Sequence, residues 1–156
     1  MIRDSDGTIT SFERGDVVWG IDPFKQEMPP PDSSHGERQS GVPPRPWLVL
    51  STDGVPFHPE QYLCATLTSR TWHDEAIPVE PVDWDTGGAP KSVAILPWSV
   101  ATIRHEFLDT TGVLVAHLST SSTEERRDGF QGNLSPAVVD TVVNRLVGYL
   151  SETLTD

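Results

Sequence analysis

Apolar residues along this chain come in short runs, most of them strand-length, until residue 135, where the period changes. Residues 1–13 are polar and acidic and predict a frayed leader. From Arg14, "RGDVVWGIDPF" moves from a turn into the run Val17-Val18-Trp19 and stops at Asp22-Pro23, a short buried strand closed by proline. Residues 23–44 are rich in proline, glycine, serine and charge, with no periodic element, and read as one long loop of the kind that is often functional. "PWLVLST" and "QYLCATLTS", separated by the turn "DGVPFHPE", are β-rich and apolar enough for central strands. "AIPVEPV" alternates but carries two prolines, which places it at a sheet edge. "DWDTGGAPK" reads as a turn, "SVAILPWSVATI" as two short strands broken at Pro97, and "TGVLVAHLS" as one more strand. Residues 119–134 are polar and loop-like.

The change of period falls in "SPAVVDTVVNRLVGYL". Ser135 suits an N-cap and Pro136 the first helical position, and Val139, Val142, Val143, Leu146 and Leu150 then fall on one face. About six short strands with one terminal amphipathic helix predict a mainly β domain over 14–156: a small, strongly bent, SH3-like β-barrel interrupted by the 23–44 loop and a 119–134 insertion.

Composition narrows the surroundings. The 156 residues suit a single domain with a core of its own. The lone Cys64 excludes an intramolecular disulfide and fits a reducing compartment. No apolar run is long enough to span a bilayer, and the first residues are too acidic for a signal peptide, so no membrane association and a cytoplasmic location are expected. Asp and Glu number 23 against 11 Lys and Arg, for a net charge of -12, and only Lys25 and Lys91 are lysines. Such a field repels polyanions in dilute buffer. An acidic, lysine-poor surface also suits a salt-loaded, halophilic cytoplasm, where molar salt cuts the Debye length to about 3 Å and local arginines decide the partners.

Among the candidate chemical groups Arg45 stands out, because it lies between Pro44 and Pro46 at the entrance to an apolar strand. The proline that follows restrains it to extended backbone, which fixes where its guanidinium points. The competing reading is a strand-edge arginine paired with one of many carboxylates. Thr68 and Ser69 end the third predicted strand, Arg70 and Trp72 follow, and His35 and Glu37 sit in the long loop. Each has an ordinary structural reading beside a functional one. His58, His73, His105 and His117 show no metal-ligand spacing, His117 reads as a core residue, and neither a metal nor a cofactor is expected. Trp19 and Trp47 read as core, whereas Trp72 is the best candidate for stacking on a base, with Arg70 beside it to hold a phosphate.

Four pieces in order, "RGDVVWGIDP", "RPWLVLS", "CATLTSR" and "VVNRLVGYL", resemble the PemK/MazF/Kid family of mRNA interferases, the growth-inhibiting toxins of toxin–antitoxin pairs. The resemblance covers roughly 14–118 and 135–151. It implies an SH3-like barrel, usually a homodimer, that cleaves single-stranded RNA without a metal and is neutralised by a cognate antitoxin. It also implies that Arg45 is catalytic, that Thr68, with Ser69 beside it, supplies a hydroxyl, and that His35 and Glu37 lie where some members carry an acid and a histidine. The sequence departs from the pattern in three ways: no Arg-x-Asp pair occurs in "SVAILPWSVATI", Ala101 stands where an arginine commonly precedes Thr-Ile, and 119–134 are inserted. A barrel that has lost catalysis and binds nucleic acid or protein is the alternative.

Overall fold

The computed structural model describes residues 1–23, 44–112 and 129–151. The chain is mainly β with one C-terminal helix, as the pattern predicts. Its body is a curled, antiparallel seven-stranded sheet. The strands are β3 (Asp16–Gly20), β4 (Arg45–Val49), β5 (Gln61–Thr68), β6 (Ile77–Val79), β7 (Trp84–Gly87), β8 (Val93–Arg104) and β9 (Phe130–Leu134), in the spatial order β6-β8-β5-β4-β3-β9-β7. Helix α1 spans Pro136–Leu150. As expected, β5 and β4 are central and the proline-bearing β6 is an edge.

Period-2 alternation sends the side chains of β4 and β5 to two separate cores. Leu48, Ala65 and Leu67 face the helix side, where Val139 and Val142 of α1 join Val17, Ile95 and Leu134. Trp47, Val49, Tyr62 and Cys64 face the other side with Val18, Ile103 and Leu108. The α1 face is shorter than its pattern implies. Val139 and Val142 are buried and Val143 and Leu146 half-buried, but Leu150 lies beyond the sheet and is exposed.

Four sequence expectations need correction. The first 13 residues are not a frayed leader: β1 (Ile2–Arg3) and β2 (Ile9–Ser11) pair into a hairpin, and Ile9 and Phe12 are fully buried in the second core. Two large side chains of that kind, each stabilising by roughly 1.5–3 kcal/mol when buried, outweigh the polar residues around them. "DWDTGGAPK" contains β7, and part of the proposed 119–134 insertion is β9. Each strand carries a glycine where their backbones nearly touch. A Cβ on Gly87 would overlap the Gln131 carbonyl, and one on Gly132 would overlap that of Thr86. Finally, Pro97 does not end a strand. β8 runs through it as a bulge: Ala65 pairs with Val100 and Thr66 with Leu96, so Pro97, Trp98 and Ser99 are extruded between them. The 24–43 segment, residues 113–119 of the strand expected from "TGVLVAHLS" (111–119), and the loop 119–128 lie outside the described residues.

One close approach shapes the site. Gly20 pairs with Arg45 on β4 and bridges to Leu108 on its other side. A Cβ there would lie 2.8 Å from Leu108 Cδ2, 2.9 Å from the Phe107 carbonyl oxygen and 3.2 Å from Trp47 Cδ1.

Candidate active site

Arg45 opens β4, and the extended backbone imposed by Pro46 carries its side chain along the sheet toward β5. Its Nη2 donates to the Leu67 carbonyl at 3.2 Å and its Nη1 to Asp22 Oδ2 at 3.3 Å. The guanidinium carbon lies 5.9 Å from the centroid of the Trp47 ring, within cation–π range. Asp22 follows β3, two residues past the Gly20 that pairs with Arg45, so strand register brings acid and base together. The carboxylate is only 7 % exposed and the arginine 24 %. Tight charge-assisted bonds measure about 2.7–2.9 Å, so these longer contacts orient the fork without closing it to a stronger anion. Arg45 is paired with a carboxylate, as its structural reading expects, but on a strand inside the sheet and not at its edge.

Beside the guanidinium is a cavity of about 400 Å3 lined by Asp22, Arg45, Trp47, Thr66, Trp98 and Ala101 among others. Thr66 faces it from β5 and Trp98 from the β8 bulge. Three polar atoms of these lining residues, Arg45 Nε, Trp47 Nε1 and Thr66 Oγ1, are buried with no hydrogen-bond partner among the described residues. Thr68 lies two residues beyond Thr66 on the same face of β5, immediately after the carbonyl that holds Arg45. Its Oγ1 accepts the Arg70 N–H at 3.0 Å, which leaves its own proton available to donate. Ser69 and Arg70 are exposed in the turn that follows.

Trp72 is 74 % exposed, and it is not alone. Its ring centroid lies 6.0 Å from that of His73, and His73 lies 4.7 Å from Trp98, itself 42 % exposed. The three rings make an aromatic row running from the turn after β5 to the rim of the Arg45 cavity. His35 and Glu37 lie outside the described residues, as do His117, Arg126 and Arg127. Sequence reasoning missed Asp22, Thr66, His73 and Trp98. Asp22 was visible only as the stop before Pro23, and Trp98 only as part of a broken strand. Neither pattern reveals which strand lies alongside.

Other polar groups serve packing. Tyr62, His105 and Cys64 sit in the second core, where burial pushes the Cys64 thiol up and so keeps it protonated and unreactive. Among the described residues no group of three His, Cys, Asp or Glu side chains could hold a metal ion, and no helix is long and apolar enough to cross a membrane. A larger cleft of about 560 Å3 beside β6 and β7 is walled mainly by prolines, glycines and Val79, with Lys91 and Glu80 at its edge. Thr71, Ser92 and Trp84 also line it, but none of its residues carries a buried polar atom without a hydrogen-bond partner among the described residues, as three of those at Arg45 do.

No protein-family model and no curated protein matches this sequence. Solved structures share its fold. An endoribonuclease from a mycobacterial species superposes with a TM-score of 0.53 at 15 % identity, over 91 % of this chain and 93 % of that one. An endoribonuclease from a mycobacterial species in complex with its cognate antitoxin gives 0.50 at 15 %, over 90 % and 96 %. A chain of the MazE–MazF crystal structure from Deinococcus radiodurans gives 0.53 at 15 %, over 93 % of this chain and all of that one. At such identity the likeness is one of fold.

Proposed function

We propose that this chain is the toxin of a toxin–antitoxin pair, a metal-independent endoribonuclease that cleaves single-stranded mRNA. The observation that carries the reading is the Arg45 fork, held by the Leu67 carbonyl of β5 beside an open cavity that Thr66 lines, with Thr68 two residues further along the same strand, on a fold shared with endoribonucleases, one of them solved with its cognate antitoxin. In this reading the fold is an SH3-like barrel working as a cytoplasmic homodimer, with a cognate antitoxin as its protein partner.

Cleaving RNA through its own 2′-hydroxyl asks little of the protein. The hydroxyl must be aligned with its phosphorus, the pentacoordinate oxyanion stabilised, and protons moved at both oxygens. Arg45 serves the oxyanion, because its fork engages two phosphate oxygens and keeps its proton at every relevant pH. The scissile phosphate displaces the Asp22 carboxylate from Nη1 as it binds. Thr68 donates its hydroxyl proton to a phosphate oxygen, Ser69 and Arg70 hold the flanking backbone, and Trp72 stacks on a neighbouring base. His35 or Glu37 moves the proton of the attacking or the leaving oxygen.

The test is a long single-stranded RNA incubated with the purified protein in high salt and EDTA, beside Arg45→Ala. Fragments ending in a 2′,3′-cyclic phosphate, absent with the variant, are expected. Intact RNA across salt and pH would favour the second reading, a barrel that binds nucleic acid or protein without cleaving it. Two observations point that way: the Asp22 carboxylate on the Arg45 fork, and Ala101 lining the cavity where resembling sequences carry an arginine.

A further inference from the structure

We propose that the cleft beside β6 and β7 is a second phosphate subsite, which holds the backbone of the same single-stranded RNA a few nucleotides from the phosphate at Arg45. The inference rests on the ribonuclease reading and extends its substrate contact across the turn after β5.

Charge comes first. The chain carries 23 acids against 11 bases, and most of its described cations are already taken. Arg14, Arg45, Arg104 and Arg145 pair with Asp140, Asp22, Glu106 and Glu75 at 2.8–3.5 Å, and Arg3 donates to the Gly7 carbonyl. Only the side chains of Arg70 and Lys91 have neither an ion pair nor a hydrogen bond among the described residues, and both are exposed. In so acidic a chain, two cations left without carboxylates mark where an anion is attracted.

Register brings these two cations to one place. The β5–β8 ladder ends where Thr68 pairs with Ala94. The chain leaving β5 through Arg70 and Thr71 therefore runs beside the chain entering β8 through Lys91 and Ser92. Thr71, Lys91 and Ser92 all line the 560 Å3 cleft, with the half-buried Trp84 in its wall. Its volume admits a nucleotide. An ammonium meets a phosphate as a point charge, and the two hydroxyls can donate to its oxygens. Glu80 is the acidic residue of the lining, and Arg70 beside Thr71 offsets it.

The two cavities also lie in line. Thr66, in the lining of the Arg45 cavity, pairs with Leu96, and Ser92 is four residues before Leu96. At about 3.3 Å per residue that separates the two linings by about 13 Å. About four nucleotides of a stacked strand cover the interval, at roughly 3.4 Å each. The aromatic row joins the two ends: Trp72 follows Thr71 of the cleft, and Trp98 lines the Arg45 cavity. A single strand laid along that row reaches both cations.

The experiment is a fluorescence-anisotropy titration with a labelled 2′-O-methyl RNA decamer of randomised sequence, which cannot be cleaved, repeated over a series of salt concentrations. Lys91→Gln should reduce the slope of log affinity against log salt by about 0.7, the value of one phosphate contact on a single strand, and weaken binding about fivefold at about 0.1 M salt. Lys91→Arg should restore both, and Lys91→Glu should weaken binding further. With cleavable RNA, Lys91→Gln should raise KM and spare kcat, because a flanking contact is held equally in the ground and transition states. Unchanged far-ultraviolet circular dichroism and melting verify that each variant is folded. A Lys91→Gln variant with the parent's affinity and salt slope overturns the subsite; if Arg45-dependent cleavage persists in that case, the ribonuclease reading survives without it. Decamer binding that needs Lys91, with RNA left intact at every salt and pH, keeps the subsite and overturns the ribonuclease reading. If the decamer does not bind and RNA stays intact, both fall.

Discussion

Removing a single oxygen at Tyr62 should loosen the N-terminal hairpin, and the size of the effect follows from a short hydrogen-bond chain. Tyr62 is fully buried, and its hydroxyl accepts the Phe12 N–H at 3.1 Å and lies 2.8 Å from His105 Nδ1. His105 Nε2 lies 3.2 Å from the Ile9 carbonyl, which can only accept, so Nε2 carries the imidazole proton and Nδ1 receives the tyrosine O–H. The chain runs from Phe12 through Tyr62 and His105 to Ile9 and ties β2 to β5 and to the turn after β8. Burial pushes the Tyr62 phenol up to about 12, so it stays protonated throughout. Tyr62→Phe leaves the Phe12 N–H and His105 Nδ1 unpartnered. At about 1–3 kcal/mol for a buried orphan, with the half-buried histidine at the low end, the loss should be about 2–3 kcal/mol. For a chain of this size that is a fall in Tm of roughly 4–12 °C.

The same chain gives the effect a pH dependence. Burial lowers the His105 pKa, with the bond to Ile9 opposing it in part. The unfolded chain then binds the proton first, so stability is full above the unfolded value of about 6.5 and falls as pH drops from there through the folded value. In the parent, a protonated Nδ1 also turns the Tyr62 O–H away from its acceptor. Urea unfolding of parent and variant at pH 7.5 and pH 5.5 should therefore show a gap that narrows in acid. A variant within about 0.5 kcal/mol of the parent at pH 7.5, the scatter of neutral substitutions, or a gap that widens in acid, would refute the relay.

Arg45→Ala should lower the cleavage rate by about 10²–10³ or more, as loss of a preorganised oxyanion donor does, while the urea midpoint moves little; a folded variant as active as the parent would sink the assignment. Gly87→Ala should detach β7, because the new methyl would overlap the Gln131 carbonyl at a backbone φ of +72°, and hydrogen exchange should rise in β7 and β9 first. Val142→Ala removes two methyl groups from a fully buried site on α1 and should cost about 2 kcal/mol with cleavage preserved; equal losses of activity and stability would show that the helix side does reach the site.

Strong local signals made much of this molecule legible. The apolar runs of β3, β4 and β5, the prolines of β6, and the valine period of α1 after Ser135 each predict their element. The weaker strands escaped because their identity comes from a neighbour. β7 and β9 lack an apolar run, and they pair where Gly87 and Gly132 let the two backbones come close. Pro97 forbids a ladder bond, and only β5 alongside reveals that the consequence is a bulge. The site divides in the same way. Arg45 and Trp72 are visible in linear context. Asp22, Thr66 and Trp98 lie 23, 21 and 53 positions from Arg45 and meet it only through register.

Gly20 gives this arrangement a tuning point. The slot that seats Trp47 between β3 and the Phe107–Leu108 turn is as narrow as a hydrogen atom allows. Every ångström added at position 20 would push the indole, and with it the face on which Arg45 rests. On the ribonuclease reading, substrate preference can thus drift by steps at a residue that carries no functional group. A search for altered cleavage patterns should begin at this spacer before it replaces any residue of the site itself.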